Sequence, residues 1–307
     1  MLQVPNPPPE EIEDAEDHRS EHATERALER EVEGQRYVPI IVKRIDERRR
    51  HPDDTLEHAI EAGVEQCQRR SLSLLLSAVA AGLILGFTAM AVAVVATLTS
   101  GEGVETTELI YRLGKALVYP LGFVVVIMSG TELFTEHTAT AVYPVLDGRS
   151  KLRHMFRLWG VILVGNLAGA AVSAGLLALC EPVIGARAGY AQLGEHLVAF
   201  GPLALLASSI LAGWMMGMSA WLVLATPPDV SQILSVYIVT FLIGLGGLHH
   251  SIAGAVEAFV ALILVPAFQG RDAAYFLLLA VPGNLLGGSI FVAALNYGHI
   301  RRSREVA

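Results

Sequence analysis

The sequence predicts an all-α membrane protein. Its six transmembrane helices form two inverted three-helix repeats, with the second and fifth helices broken. Three observations carry this. The 307 residues are 53% hydrophobic and only 17% charged, against about 25% charged in an ordinary soluble domain. The charge is also uneven: residues 1–70 hold 29 of the 52 formal charges. An unpaired charge at the centre of a bilayer costs at least about 2.5–3.5 kcal/mol, and the composition after residue 70 is what that penalty selects. Finally, a Gly-Asn-Leu-x-Gly pattern at Gly165–Gly169 returns 118 residues later at Gly283–Gly287. The net charge of −8 excludes a nucleic-acid partner, which calls for a basic patch or stripe. Two cysteines cannot make a disulfide framework.

Residues 1–53 read as a charged, largely disordered cytoplasmic tail, rich in Pro and Glu at its start. Met1–Ser20 hold proline and acid where a cleavable signal needs a basic end and an apolar run. Residues 54–70 read as an amphipathic cytoplasmic helix, capped by Asp53 or Asp54, with Leu56, Ile60, Val64 and Cys67 on one stripe. Residues 71–297 form the six-helix domain, and 298–307 a cytoplasmic C-terminal tail.

Plain spans are expected at Leu72–Leu98, Phe156–Cys180, Gly201–Ala225 and Ala273–Asn296, because each supplies the roughly 20 apolar residues a crossing needs. Arg112–Leu146 and Ile233–Gln269 are too long for one plain crossing. The first holds Glu132, Glu136 and His137; the second holds Gly244, Gly246, Gly247, His249, His250 and Glu257. Both read as half a helix, a short loop at membrane depth, then a second half. Such loops survive only inside protein or against a water-filled cavity.

Loop charge sets the expected orientation. Arg69 and Arg70, then Arg149, Lys151, Arg153 and Arg157, then Arg301, Arg302 and Arg304 all fall on one side of six spans. The positive-inside rule makes that side cytoplasmic, with both termini on it. Cys67 and Cys180 then lie at opposite faces and should not pair.

Shifting Gly130–Thr140 by 118 lands on the second break, and Gly82-x-x-x-Gly86 is matched by Gly213-x-x-x-Gly217. Three spans per half force the second half to enter from the opposite face. Inverted repeats with discontinuous helices place a substrate site near the midplane. Asn166 and Asn284 are expected to be structural amides that tie helices together. The N–H groups starting each second half-helix are expected to face the path and attract anions.

Gly130-Thr131-Glu132-Leu133-Phe134-Thr135 resembles the G-x-E-L-F-T loop of the formate/nitrite transporter family. Gly247-Leu248-His249-His250-Ser251-Ile252-Ala253 resembles that family's G-x-x-H-S-I-A segment. The resemblance spans about residues 55–297. It implies an aquaporin-like protomer, a homopentamer with one pore per subunit, and a bacterial inner (plasma) membrane. The implied substrate is a small monovalent anion or weak acid: formate, nitrite, hydrosulfide. It places Leu133, Phe134 and Thr135 at the pore constriction and His250 as the central histidine. The chain departs from the family pattern where many members have Asn, at Gly213 and Gly254. The vestibule Lys of several members falls near His196–Leu197.

Histidine suits proton exchange near neutral pH, so His250 is expected to hand the anion a proton and let it cross as a neutral acid. His249, adjacent, points to a different face, and with Glu132 is a further candidate residue of the path. Glu132 and Glu136 lie one turn apart if helical; Glu132 is expected to brace the loop by accepting backbone N–H bonds. Glu136 also borders the path, and Glu257 is a candidate partner of His137 or His249. No nucleophile–base pair or metal-ligand cluster stands at a recognisable spacing, so neither an enzyme nor a cofactor or metal is expected. The main expectation is a channel or proton-coupled transporter for small acids in a lipid bilayer. The alternatives are a channel for small neutral solutes, or a membrane scaffold acting through the N-terminal tail.

Overall fold

In a computed structural model of the protein, residues 50–99 and 107–305 are described, with side chains to residue 301. The expected disordered tail lies almost wholly outside the described residues.

Pro52–Gln68 is α1. His51, not Asp53 or Asp54, is its N-cap: its Nδ1 accepts the Asp53 N–H at 3.3 Å. Proline at N1 costs nothing there, because that N–H has no intrahelical partner. The buried stripe runs through Leu56, Ile60, Gly63 and Cys67. It packs on Ala139, Tyr143, Val292, Ala293 and Ile300.

The first half continues with α2 (Ser71–Ile84) and α3 (Gly86–Thr99), one span with a step at Leu85. The second span is α4 (Glu108–Val118) and α5 (Pro120–Met128). It breaks at residues 129–133 and resumes as α6 (Phe134–Thr140) and the single turn α7 (Tyr143–Leu146). The third span is α8 (Leu152–Leu179), followed by the turn α9 (Glu181–Ile184).

The second half opens with α10 (Arg187–Val198), a helix that sequence reading left unassigned. The fourth span is α11 (Pro202–Ala225). The fifth is α12 (Asp229–Gly246), a break, and α13 (Ser251–Leu264). The sixth is α14 (Gly270–Gly288), a π-helical stretch at Ser289–Ala294, and α15 (Leu295–Glu305). Helix therefore runs on past residue 297, where the domain was expected to end. Among the described residues, six helices are long and apolar enough to cross a membrane.

α2 packs along α8, and α11 along α14. Glycine makes both contacts possible. A Cβ on Gly82 would stand 2.2 Å from the Asn166 carbonyl oxygen, and one on Gly213 would stand 2.2 Å from that of Asn284. Gly213 is thus a helix-packing position rather than a polar site of the path. Each break begins at a glycine in the left-handed region, Gly130 (φ 64°) and Gly247 (φ 59°), a conformation that glycine adopts without a Cβ penalty.

The repeat is tighter than the sequence pattern. Asn166 Oδ1 accepts the Phe134 N–H at 2.8 Å, and its Nδ2 donates to the Ala78 and Glu132 carbonyls. Asn284 Oδ1 accepts the Ser251 N–H at 2.7 Å, and its Nδ2 donates to the Ser209 and His249 carbonyls. The asparagines match at an offset of 118, but the loop residues match at 117. Leu133 is therefore the counterpart of His250, and Glu132 that of His249. The surface helices α1 and α10 each precede the first span of their own half.

Candidate functional site

Two openings face each other across the helix bundle. One is a mouth of about 660 Å³ lined by Tyr111, Lys115, Gln192, His196, Ser208 and His249, among others. It narrows to a neck of about 40 Å³ bordered by Tyr119, His249, His250, Gly254 and Glu257. The other is a cavity of about 190 Å³ lined by Gln66 of α1, Gly130, Glu132, Glu136, His137 and Leu224. α11 shows that they lie on opposite faces: Ala204 near its start lines the first, and Leu224 near its end lines the second. Leu133, Phe134, Thr135 and His250 form a packed plug of side chains, each at most 2% exposed, and His250 borders the neck.

His250 sits at the centre of that plug as the N-cap of α13. Its Nδ1 accepts the Ile252 and Ala253 N–H groups at 3.2 and 3.1 Å. A nitrogen that accepts two N–H bonds carries no hydrogen, so the proton is on Nε2. Nε2–H donates to Thr135 Oγ1 at 2.8 Å, joining the two broken helices. The edge of Phe123 completes the ring's surroundings, 4.9 Å away between centroids.

Four of the amides expected to be bare are taken. Phe134 and Ser251 donate to the two asparagines, and Ile252 and Ala253 to His250. A buried unpaired N–H is costly, and polar side chains lie within reach to satisfy these.

Glu132 and Glu136 do not share a helix: Glu132 lies in the loop and Glu136 in the first turn of α6. Among the described residues, the Glu132 carboxylate accepts no backbone N–H. It pairs with the Arg69 guanidinium on one oxygen and His137 Nε2 on the other. His137 Nδ1 in turn contacts Thr140 Oγ1 at 3.1 Å. His249 Nδ1 meets Ser208 Oγ at 2.8 Å, and its ring stacks on His196, 5.1 Å away and 2° from parallel. Glu257 bonds to neither histidine proposed for it: His137 is held by Glu132 and Thr140, and His249 by Ser208. It borders the neck instead, with Lys115 as its favourable charge. Cys67 and Cys180 are free.

Sequence reading missed Lys115, Arg69, His196 and Ser208. Lys115 brings a positive charge to the mouth from α4, at the level where no lysine stands on α10. A lysine inside an apolar span is a functional candidate by default, and that signal was available. Arg69 was counted only as a positive-inside charge. Ser208 gave no signal, because a serine in a span is ordinary. At Gly254, a Cβ would stand 2.3 Å from the tip of Phe276, so that aromatic ring fills the space a side chain would need.

Two mouths, a closed polar centre and mirrored broken helices define a membrane channel or transporter. The model of the formate/nitrite transporter family matches residues 53–298. The chain belongs to that family. It is 32% identical over 254 residues to the inner membrane protein YfdC of Escherichia coli K12, covering 80% of this chain and 77% of YfdC. A solved FNT family ion channel superposes with a TM-score of 0.72 at 19% identity, over 81% of this chain and 99% of its own. A pentameric formate channel with formate bound gives 0.63 at 19%, over 75% and 97%.

Proposed function

We propose that the protein is an inner-membrane homopentamer that passes small monovalent acids of the formate, nitrite and hydrosulfide class, one pore per subunit, with both termini cytoplasmic. The observation that carries this reading is the His250–Thr135 hydrogen bond at the point where both helix breaks meet. An ion in an apolar constriction is costly, whereas a neutral acid needs only hydrogen bonds. Thr135 accepts from His250, which leaves its own hydroxyl hydrogen free for a passing acid oxygen. Loss of the Nε2 proton would leave an imidazolate, because Nδ1 is committed to the helix cap. His250 therefore serves as a hydrogen-bond donor of fixed tautomer, and vestibule water supplies the proton that neutralises the anion. The expected transfer of a proton from His250 is narrowed in this way by its capping bonds.

Lys115 at the mouth supports an anionic substrate. Glu257 in the neck supports the second reading, a small neutral solute, because an ionised carboxylate there repels anions. Stopped-flow flux in proteoliposomes separates the two, comparing formate, nitrite, hydrosulfide, acetate, water and ammonia. Acid-selective uptake is expected. Uptake of water or ammonia alone would overturn the acid reading in favour of the second.

A further inference from the structure

The two halves place different chemistry at equivalent positions beside the plug. The Glu132 N–H donates to Ser77 Oγ at 3.2 Å and its carbonyl accepts from Asn166. The His249 N–H donates to Ser208 Oγ at 3.1 Å and its carbonyl accepts from Asn284. The backbones are thus held alike, so the side chains occupy matching places on opposite sides of the plug. Both carboxylate oxygens of Glu132 have a partner, Arg69 on one and His137 on the other. His249 differs. Its Nε2 is buried without a hydrogen-bond partner, although the residue is only 3% exposed and lines both the mouth and the neck.

Ser208 settles which hydrogen that nitrogen carries. Its hydroxyl accepts the His249 amide, and among the described residues the only acceptor in reach of its own hydrogen is His249 Nδ1. Ser208 therefore donates to Nδ1, and Nε2 bears the hydrogen. Stacking on His196 and the edge of Phe200, 5.5 Å away, hold the ring plane. His196 is itself tied by Nε2 to the Gly247 carbonyl at 2.9 Å and cannot turn to satisfy its neighbour.

A buried donor left unpaired is costly, and a partner that supplies a lone pair gains what the protein withholds. The geometry points to His249 as a recognition residue for the permeating species on the α10 side. Its Nε2–H donates to an oxygen or other lone pair of a small acid entering the neck, and Ser208 acts as the positioning residue that fixes the tautomer. The step selects for acceptor-bearing solutes and against donor-only cations such as ammonium. Lys115 and Glu257 face the same neck and set its charge, but neither replaces the directed N–H. This inference rests on the proposed acid substrate and assigns it a first contact outside the plug.

Two substitutions separate recognition from bracing. His249→Gln keeps an N–H donor near the place of Nε2. His249→Asn keeps a group near Nδ1 for Ser208 and loses the outward donor. In proteoliposomes, H249N is expected to raise the half-saturating formate concentration roughly tenfold, the loss of one hydrogen bond to a charged or polar acid group. H249Q should stay within about twofold of the parent, and S208A should fall between them. Equal behaviour of H249N and H249Q would overturn the proposal. A binding measurement stands apart from transport: in full-length protein labelled with ¹⁵N-histidine, sodium formate should shift the Nε2 signal that H249Q removes, and methylammonium chloride should not. No formate-dependent shift overturns the inference even if the vesicles conduct formate. A shift without conduction supports it and defeats the transport reading instead.

Discussion

At the residue scale, His250 combines two jobs that substitution can divide. Asn at 250 keeps an oxygen for the Ile252 and Ala253 amides but has no donor that reaches Thr135. His250→Asn should therefore fold with a melting temperature close to the parent and lose most of its formate flux. His250→Phe also loses the cap, at a further cost of about 1 kcal/mol. Full flux in H250N, measured by stopped flow, would sink the donor role. Asn166 and Asn284 make a second pair. Each binds one amide and two carbonyls in a buried setting, and an orphaned buried group costs about 1–3 kcal/mol. Asn166→Ala and Asn284→Ala should each lower the melting temperature by several degrees, and by similar amounts, because the repeat gives them matching partners. A drop for only one of them would mean that the two networks are not equivalent.

At the scale of elements, α1 is clamped to the first helix break. Arg69, just beyond its end, pairs with Glu132, and Arg157 of α8 donates to the Cys67 and Arg69 carbonyls at 2.8 and 2.9 Å. Arg149 reaches Glu57 at 2.5 Å, and Arg301 reaches Asp147 at 2.5 Å, binding α1, the turn after α7 and α15 together. Arg69 keeps 28% of its side-chain surface in water, so breaking its pair costs less than breaking a fully buried one. Cys67 reports on this clamp. Burial pushes its thiol up from the ordinary range, and the thiolate is the reactive form. Maleimide should label Cys67 slowly in the parent at neutral pH. Arg69→Ala should loosen α1, let the thiol fall back towards its ordinary range and speed labelling severalfold. An unchanged rate would show that α1 stays docked without the pair.

At the scale of the whole molecule, the two faces are alike in backbone and unlike in chemistry. The α1 side holds Glu132, Glu136 and His137, while the α10 side holds Lys115, Arg112, His196 and His249 alongside Glu108 and Glu195. For a permeant that crosses as the neutral acid, flux should rise up to tenfold for each unit by which external pH falls, while pH stays above the acid's own pKa. A flat profile between pH 5 and 7 would favour the neutral-solute reading. Native mass spectrometry should give an assembly of five copies of the 32.9 kDa chain, and a stable dimer or tetramer would refute the pentamer. Removal of residues 1–49 should leave flux intact. Arg50 is kept because it donates to the Leu224 and Ala225 carbonyls at the end of α11. Lost flux in that truncation would give the tail a direct part in transport.

The six spans, the two breaks and their inverted relation were legible along the chain, because each follows from local composition: hydrophobic length, glycine where the chain must turn, and a pattern that recurs to within one residue. Its motifs around the breaks also singled out Leu133 to Thr135 and His250, all of them buried in the folded chain. What each polar side chain meets was settled by packing across the bundle. Glu132 and Arg69 are 63 residues apart, and Thr135 and His250 are 115 apart. No local pattern encodes such a pairing; it depends on how far helices approach and which faces they turn to each other. The same holds for the four amides that looked bare and proved capped, and for the lysine that reaches the mouth from α4 rather than α10. Helix formation is dictated along the chain, but a hydrogen bond across the bundle is set by packing, and the chemistry of the path is made almost wholly of such bonds.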